Sequence, residues 1–322
     1  PLRGYHDVLK SNTSIRKGVI MDFLYTLQNL RNPVLDAVMT FFTYFGDEIL
    51  VIGILCATYW CINKKLAYKV CFTYFISGLM VQGLKIVFRV ERPWIRDSRL
   101  IPSDAALDGA TGYSFPSGHT QGSTGLFSVL AYHFKKVWGY IIFFLIIALV
   151  MLSRMYLGYH TPWDVLVAFG ITFAVSLIVN YIFENFTSTS ATRIIVLILT
   201  ELISAALIGI TYYVVLTGKS TEELAMDCFK AAGAGLAFGI AWFIEDKYIR
   251  FSPQSVSSVG GQILKFIVGI GVTLGLKQGL KALGFALFPD GAIIINIVRY
   301  FIVVIWIVAI YPLIIKKITS RR

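Results

Sequence analysis

Long apolar runs separated by short polar segments dominate this chain. They fall at about residues 48–62, 66–88, 121–134, 137–153, 162–183, 194–216, 228–243, 263–288 and 292–315. Most approach or exceed the roughly 18 residues that mark a bilayer-spanning helix. Backbone N–H and C=O groups in lipid find no water, so each segment must bond its own, and the helix is the default. Upstream the pattern changes. Residues 19–32 alternate apolar with polar, and Val34, Val38, Met39, Phe41, Phe42 and Phe45 recur at helical spacing over only about three turns. These predict helices lying at the membrane interface. The fold class is all-α, a polytopic membrane protein, with no internal repeat and no low-complexity segment.

Composition agrees: of 322 residues, 57% are hydrophobic and 15% charged, which excludes an ordinary water-soluble domain. The formal net charge of +11 does not point to nucleic acid. The cations stand mostly at the ends of apolar runs, where they set topology, bind anionic headgroups or hold a phosphate. Cys56, Cys61, Cys71 and Cys228 lie in or beside apolar runs without metal-ligand spacing, so packing is their expected role. The sequence begins at Pro1 and not at a methionine, so its start and any targeting segment are expected to lie upstream of it.

Three polar clusters interrupt the apolar pattern: Lys85 with Arg92-Pro93, then Pro116-Ser117-Gly118-His119, then Ser153-Arg154 through His160 to Asp164. They end the second span, open the third, end the fourth and open the fifth. Alternating spans therefore put all of them on one membrane face. Lys64, Lys65, Lys135, Lys136, Arg193, Lys247, Arg250, Lys316, Lys317, Arg321 and Arg322 fall on the other face. The positive-inside rule makes that other face cytoplasmic, so the clusters are expected to face periplasm, cell exterior or organelle lumen, in a bacterial cytoplasmic membrane or a eukaryotic endomembrane. Arg3, Lys10, Arg16 and Lys17 run against this assignment, because an odd span count places them outside too.

A phosphoryl group in transfer spreads negative charge over its equatorial oxygens, and fixed donors around it do most of the work. Lys85, Arg92 and Arg154 suit that task. Lys85 and Arg92, seven residues apart, would share one helical face with Pro93 ending the helix; alternatively, Lys85 snorkels and Arg92 pairs with Glu91. Ser117-Gly118-His119 opens a span, where free N–H groups and the helix dipole favour an anion, although Ser117 is also an ordinary N-cap. Thr161, Pro162 and Asp164 fit a capped helix start with no enzyme at all. That leaves His160 and Arg154 unexplained. A carboxylate one turn from an imidazole can hold one ring nitrogen as the N–H donor and leave the other to attack phosphorus. His6 and His133 have no such neighbours.

In this order and spacing the clusters resemble the three-part signature of the PAP2 (type 2 phosphatidic acid phosphatase) superfamily, over roughly residues 30–185. The resemblance implies a six-helix core followed by about four additional C-terminal transmembrane helices. The expected organisation is 1–47 as N-terminal interfacial helices, 48–185 as the catalytic transmembrane core, and 186–322 as a transmembrane extension of unknown role. It further implies His160 as nucleophile, Asp164 as its orienting partner, and His119 as the acid that protonates the leaving alcohol and then activates water. Lys85, Arg92, Ser117, Gly118 and Arg154 would bind phosphate, with no metal and no cofactor. The extra spans and the 59–65 stretch look like the sphingosine-phosphate phosphatase-like branch or a bacterial relative. The expected activity is metal-independent hydrolysis of a lipid phosphomonoester or pyrophosphate through a phosphohistidine. The alternatives are a phosphotransferase, or a lipid transporter or binding protein on a dead site. A soluble haloperoxidase relative is excluded by the spans. Lys277, Lys281 and Arg299, in the outer half of the last two spans, are candidates for a second lipid-headgroup site, against snorkelling and a pair with Asp227.

Overall fold

The computed structural model describes residues 18–104, 107, 110–186 and 189–320. Arg3, His6, Lys10, Arg16, Lys17, Arg321 and Arg322 lie outside them. Among the described residues every regular element is helical. In chain order they are α1 (18–29), α2 (Pro33–Thr43), α3 (Glu48–Ala57), α4 (Lys64–Phe88), the single turn α5 (Pro93–Arg96), α6 (Gly118–Phe134), α7 (Val137–Tyr156), α8 (Pro162–Asn185), α9 (Ser190–Leu216), α10 (Glu222–Ile244), α11 (Val259–Leu287), α12 (Ala292–Ile305) and α13 (Tyr311–Thr319). Among the described residues seven helices, counted with their continuations, are long and apolar enough to cross a membrane. The protein is an integral membrane protein. The two segments Pro33–Gly46 and Glu48–Ile62 meet at a bend of 50° and together could make an eighth, broken span.

At 17 residues α6 is shorter than α4, α7 and α8, and its sequence is rich in Ser, Thr and Gly. It is nonetheless the central one, packed against α4, α7 and α8, with an almost continuous buried run from Thr120 to Val129. Small residues let neighbouring backbones approach closely, and its hydroxyls bond within the helix, as Ser128 Oγ does to the Thr124 carbonyl at 2.6 Å. No lipid-facing apolar stripe is needed on a helix that others surround.

The C-terminal helices dock on this core through α10, which contacts α4, α9 and α12. Its buried face is rich in Ala and Gly, with Phe229, Phe238 and Trp242 among them, and a Cβ on Gly233 would sit only 2.9 Å from the Ile297 Cα. At the end away from the three clusters, the carboxylate of Glu245 is fully buried. It takes Lys64 Nζ at 2.7 Å, the Phe251 N–H at 2.7 Å and the Tyr68 hydroxyl. A buried carboxylate is tolerated only when its lone pairs are filled. Tyr59 and Trp60 add bonds to the carbonyls of Val308 and Ile307, 2.9 and 3.0 Å long. These contacts hold the extension against the core.

Candidate active site

The helix carrying Lys85 stops at Phe88, where Arg89 turns into the left-handed region with φ 49°. Arg92 then lies in extended backbone and caps α5 rather than continuing α4. The expectation that Pro93 ends the helix and that Lys85 and Arg92 share a helical face is thereby corrected: the residue before proline is pushed out of the α region, and the proline starts a new turn. Glu91 is not the partner of Arg92. The guanidinium donates to the carbonyls of Thr111 (2.5 Å), Gly112 (3.1 Å) and Tyr159 (3.2 Å), and Nη1 meets His160 Nε2 at 3.0 Å.

That last contact defines the tautomer of His160. A guanidinium only donates, so Nε2 must present a lone pair. The other nitrogen, Nδ1, stands 3.5 Å from Asp164 Oδ2 and 3.4 Å from Ser114 Oγ, and the Ser114 hydroxyl itself donates to Asp164 Oδ2 at 2.6 Å. The Thr161 N–H adds a bond of 2.8 Å to the same oxygen, completing the capping box of α8. The capping reading and the orienting geometry are thus one arrangement: the oxygen that caps the helix also faces the imidazole. Burial, with Arg92 and Arg154 nearby and only partly opposed by Asp164, lowers the pKa of His160 to about 3. The ring is neutral in ordinary buffers.

Arg154 closes the other side. Its carbonyl accepts the N–H groups of Tyr159 and His160, at 3.0 and 3.2 Å, so the 154–160 turn is folded around it. Gly158 makes that turn possible with φ +81°, a conformation that costs other residues dearly. The guanidinium is fully buried over the Tyr159 ring, 4.4 Å from its centroid, with Nη1 bonded to Thr43 Oγ1 at 2.9 Å. Its Nε and Nη2 have no partner among the described residues. A buried unpaired donor costs on the order of 1–3 kcal/mol, more when charged.

Ser117 caps α6 through its side chain, and its N–H bonds to the Asp164 carbonyl at 2.9 Å, joining the second cluster to the third. Gly46, at the bend between α2 and α3, lies so close to the start of α6 that a Cβ there would overlap the His119 carbonyl oxygen. A cavity of about 520 Å³ opens here, and Lys85, Arg92, Gly118, His119 and His160 line it. Ser117 and Arg154 stand behind that lining. The three clusters thus meet at one end of the bundle, as the parity of the spans requires.

The expected headgroup trio is dispersed. Lys277 lines the same cavity and pairs with Glu48 at 3.1 Å, not with Asp227. Asp227 takes Lys230 at 2.8 Å and Thr111 at 2.6 Å instead. Lys281 is exposed, and Arg299 is buried over the Tyr300 ring; neither lines the cavity. Three participants escaped the sequence reading: Ser114, Thr43 and Glu48. Ser114 stands three residues before Ser117, which was a local signal. The others come from distant segments and carried none. Among the described residues no three His, Cys, Asp or Glu side chains are grouped so as to hold a metal ion.

A helical bundle in the membrane whose one end gathers two histidines, a carboxylate and three buried cations around a deep cavity defines a class of integral membrane enzyme that handles anions. The chain belongs to the PAP2 superfamily and is a PAP2-type phosphatase. Residues 66–188 match the model of the PAP2 superfamily, and residues 229–322 match that of the PAP2 superfamily phosphatase transmembrane extension. The chain is 30% identical over 159 residues to phosphatidylglycerophosphatase B of Bacillus subtilis (strain 168), covering 44% of this chain and 72% of that one. It is 28% identical over 178 residues to a probable sphingosine-1-phosphate phosphatase of Dictyostelium discoideum, covering 48% of this chain and 42% of the relative. It is 29% identical over 162 residues to the undecaprenyl-diphosphatase BcrC of Bacillus subtilis (strain 168), covering 48% and 76%. A crystal structure of a transmembrane PAP2-type phosphatidylglycerolphosphate phosphatase from Bacillus subtilis aligns with a TM-score of 0.46 at 23% identity, covering 54% of this chain and 88% of that one.

Proposed function

We propose that this protein hydrolyses a lipid phosphomonoester or pyrophosphate through a phosphohistidine on His160, with 48–185 as its catalytic core. The observation that carries the reading is Arg154: a fully buried guanidinium with two unpartnered nitrogens, behind a histidine whose Nε2 lone pair faces Arg92. A phosphate gives those donors acceptors and takes the charge of Lys85, Arg92 and Arg154. In the first step Nε2 attacks phosphorus, the bond to the lipid oxygen breaks, and His119 gives that oxygen a proton. In the second, His119 takes a proton from water, whose oxygen attacks the phosphohistidine and frees His160. Asp164 keeps the Nδ1 proton in place throughout.

Phosphate release from phosphatidic acid, phosphatidylglycerophosphate, undecaprenyl pyrophosphate and a sphingoid phosphate, with chelator present, tests this reading. Release from at least one of them supports it. Activity lost with chelator and restored by Mg²⁺ would overturn the metal-free mechanism, and transfer of phosphate to an added alcohol without free phosphate would make the protein a phosphotransferase.

The two histidines serve different steps and respond differently to removal. His119→Ala should slow phosphorylation by roughly 10²- to 10⁴-fold for a lipid alkoxide leaving group and far less for nitrophenyl phosphate, whose leaving group needs no proton. Hydrolysis of the phosphoenzyme should be slow with both. Equal loss in the first step for the two substrates would remove His119 from the acid role.

Lys277, on the cavity wall and paired with Glu48, is read as a headgroup contact. Lys277→Ala should raise KM for a lipid phosphate several-fold and leave a small soluble ester unchanged. Equal change for both substrates would make it a structural pair.

The site is assigned to the non-cytoplasmic face. Lys64, Lys135, Lys136, Arg193, Lys247, Arg250, Lys316 and Lys317 sit at the helix ends away from it. Several cations at the site's end are engaged: Arg31 on the Tyr156 and Ile101 carbonyls, Arg99 on Asp97, and Lys230 on Asp227. In a background without the four native cysteines, Ser103→Cys should react with an impermeant thiol reagent from outside sealed cells and Lys136→Cys should not. The reverse pattern would place the site in the cytoplasm.

A further inference from the structure

The cavity that holds His160 does not end at the phosphate-binding residues. Along α4 its lining runs through Lys85, Gln82, Leu79, Phe75 and Cys71, at intervals of three and four residues on one helical face. At about 1.5 Å per residue that stripe extends about 20 Å from Lys85 into the bundle. One leaflet of hydrocarbon is about 15 Å deep, so the lumen spans the distance from headgroup level to around the bilayer centre.

The wall facing α4 is supplied by the C-terminal helices: Ala231 and Ala234 of α10, Phe266 and Ile270 of α11, and Val303 and Val304 of α12. Ile52 and Gly53 of α3 close the side between them. Polarity is graded along its length. The Glu48–Lys277 and Asp227–Lys230 pairs form a charged band beside the phosphate-binding end. Beyond it the lining is carbon-rich, and the hydroxyl of Thr273 is spent on the Gly269 carbonyl at 2.7 Å. The volume of about 520 Å³ lies within the range of roughly 300–1,000 Å³ that small-molecule sites occupy. A lumen that is charged at one end, apolar at the other and continuous with a phosphoryl site has the profile of a lipid phosphate.

We propose that the hydrocarbon chain of the substrate lies in this chamber, so that the C-terminal extension forms a chain-binding wall of the active site and chain length governs catalysis. The proposal rests on the phosphatase reading given above. It assigns a role to residues 229–322 that the catalytic clusters do not explain. Each buried methylene contributes about 0.8 kcal/mol, so losing even two or three from the chamber costs tenfold or more in binding.

Two plugs at different depths test this in the full-length protein. A Cβ on Gly53 would meet nothing within 4 Å, so Gly53→Phe fills lumen rather than packed core. It stands about 7 Å along α3 from Glu48, whereas Ala234→Phe stands about 10 Å along α10 from Asp227. The substrates are single-chain alkyl phosphates, from a short water-soluble ester to a long-chain lipid phosphate in mixed micelles. Both variants should keep kcat/KM for the shortest ester within about twofold and lose at least about tenfold on the longest. The fall should begin at shorter chains for Gly53→Phe than for Ala234→Phe. Retained turnover of the short ester also shows that the variants fold and that the catalytic reading stands. An unshifted chain-length profile, or equal loss on all esters, overturns the chamber. No hydrolysis of any ester by the unmodified protein overturns the phosphatase reading instead. Independently of any plug, a lipid phosphate carrying a photoreactive group at its chain end should label peptides of α10–α12 in the unmodified protein. Labelling confined to α7 and α8, or a bystander phosphate-free lipid competing equally well, would also overturn it.

Discussion

His160→Ala should abolish both the phosphoenzyme and turnover, lowering kcat by roughly 10⁴-fold or more, because the other imidazole at the cavity, His119, serves proton transfer in this mechanism and not attack. The geometry makes this demanding. Nε2 carries the lone pair and meets Arg92 at 3.0 Å, a contact that a bound phosphate would take over to free Nε2 for attack, and Nδ1 is turned toward Asp164 and Ser114. With labelled lipid phosphate, denatured wild-type enzyme should retain an acid-labile phosphate and the variant none. A variant that keeps near-normal activity would remove His160 from this role. The same environment carries a pH consequence. With a pKa of about 3, His160 gains no proton as pH falls through 6, so the acid limb of kcat/KM in the free enzyme should not be its titration. A limb near 6 that vanished on removing Ser114 or Asp164 while the remaining activity persisted would assign that titration to His160 and contradict the geometry.

Arg154→Met should have the second-largest effect, and it should separate catalysis from folding. Among the described residues the buried Arg154 Nε and Nη2 have no hydrogen-bond partner. Removing a donor set aimed at transition-state charge typically costs on the order of 10²–10³-fold per group, and arginines on phosphoryl groups more. We expect kcat/KM to fall by about 10³-fold and vanadate inhibition to weaken in parallel. Methionine fills similar volume without unpaired donors, so the melting temperature in detergent should hold or rise. Arg154→Lys should not rescue activity, because an ammonium cannot reproduce the planar fork. A drop in melting temperature with kcat/KM preserved would make Arg154 a structural residue held by Thr43 and Tyr159.

The positions the sequence marked and the contacts it could not show differ in kind. Local chemistry was legible: Thr161 and Asp164 cap α8 as their spacing required, and Ser117 caps α6. A distance along the chain became misleading where the backbone changed direction. Lys85 and Arg92 read as one helical face, yet the left-handed Arg89 and the proline at 93 put them on separate elements. The bend at Gly46 that brings Thr43 to Arg154 had no periodic signature, and residues 34–45 read as a short amphipathic helix on their own.

The extension shows the same division. Its apolar length settled that it lies in the membrane, whereas the pairing of Lys277 with Glu48 joins residues 229 positions apart. The alternative partner Asp227 was already occupied by Lys230 and Thr111.

By itself the sequence determined that this is a helical membrane protein and that its polar clusters share one end of the bundle. Segment hydrophobicity and alternation of spans are properties of order along the chain, and lipid enforces them segment by segment. Only the tertiary structure decided which donors of each cation are spent and which remain, and that the cavity runs between core and extension. Those outcomes depend on competition among side chains and carbonyls from distant segments for the same few ångströms, and no spacing rule along one chain encodes that competition.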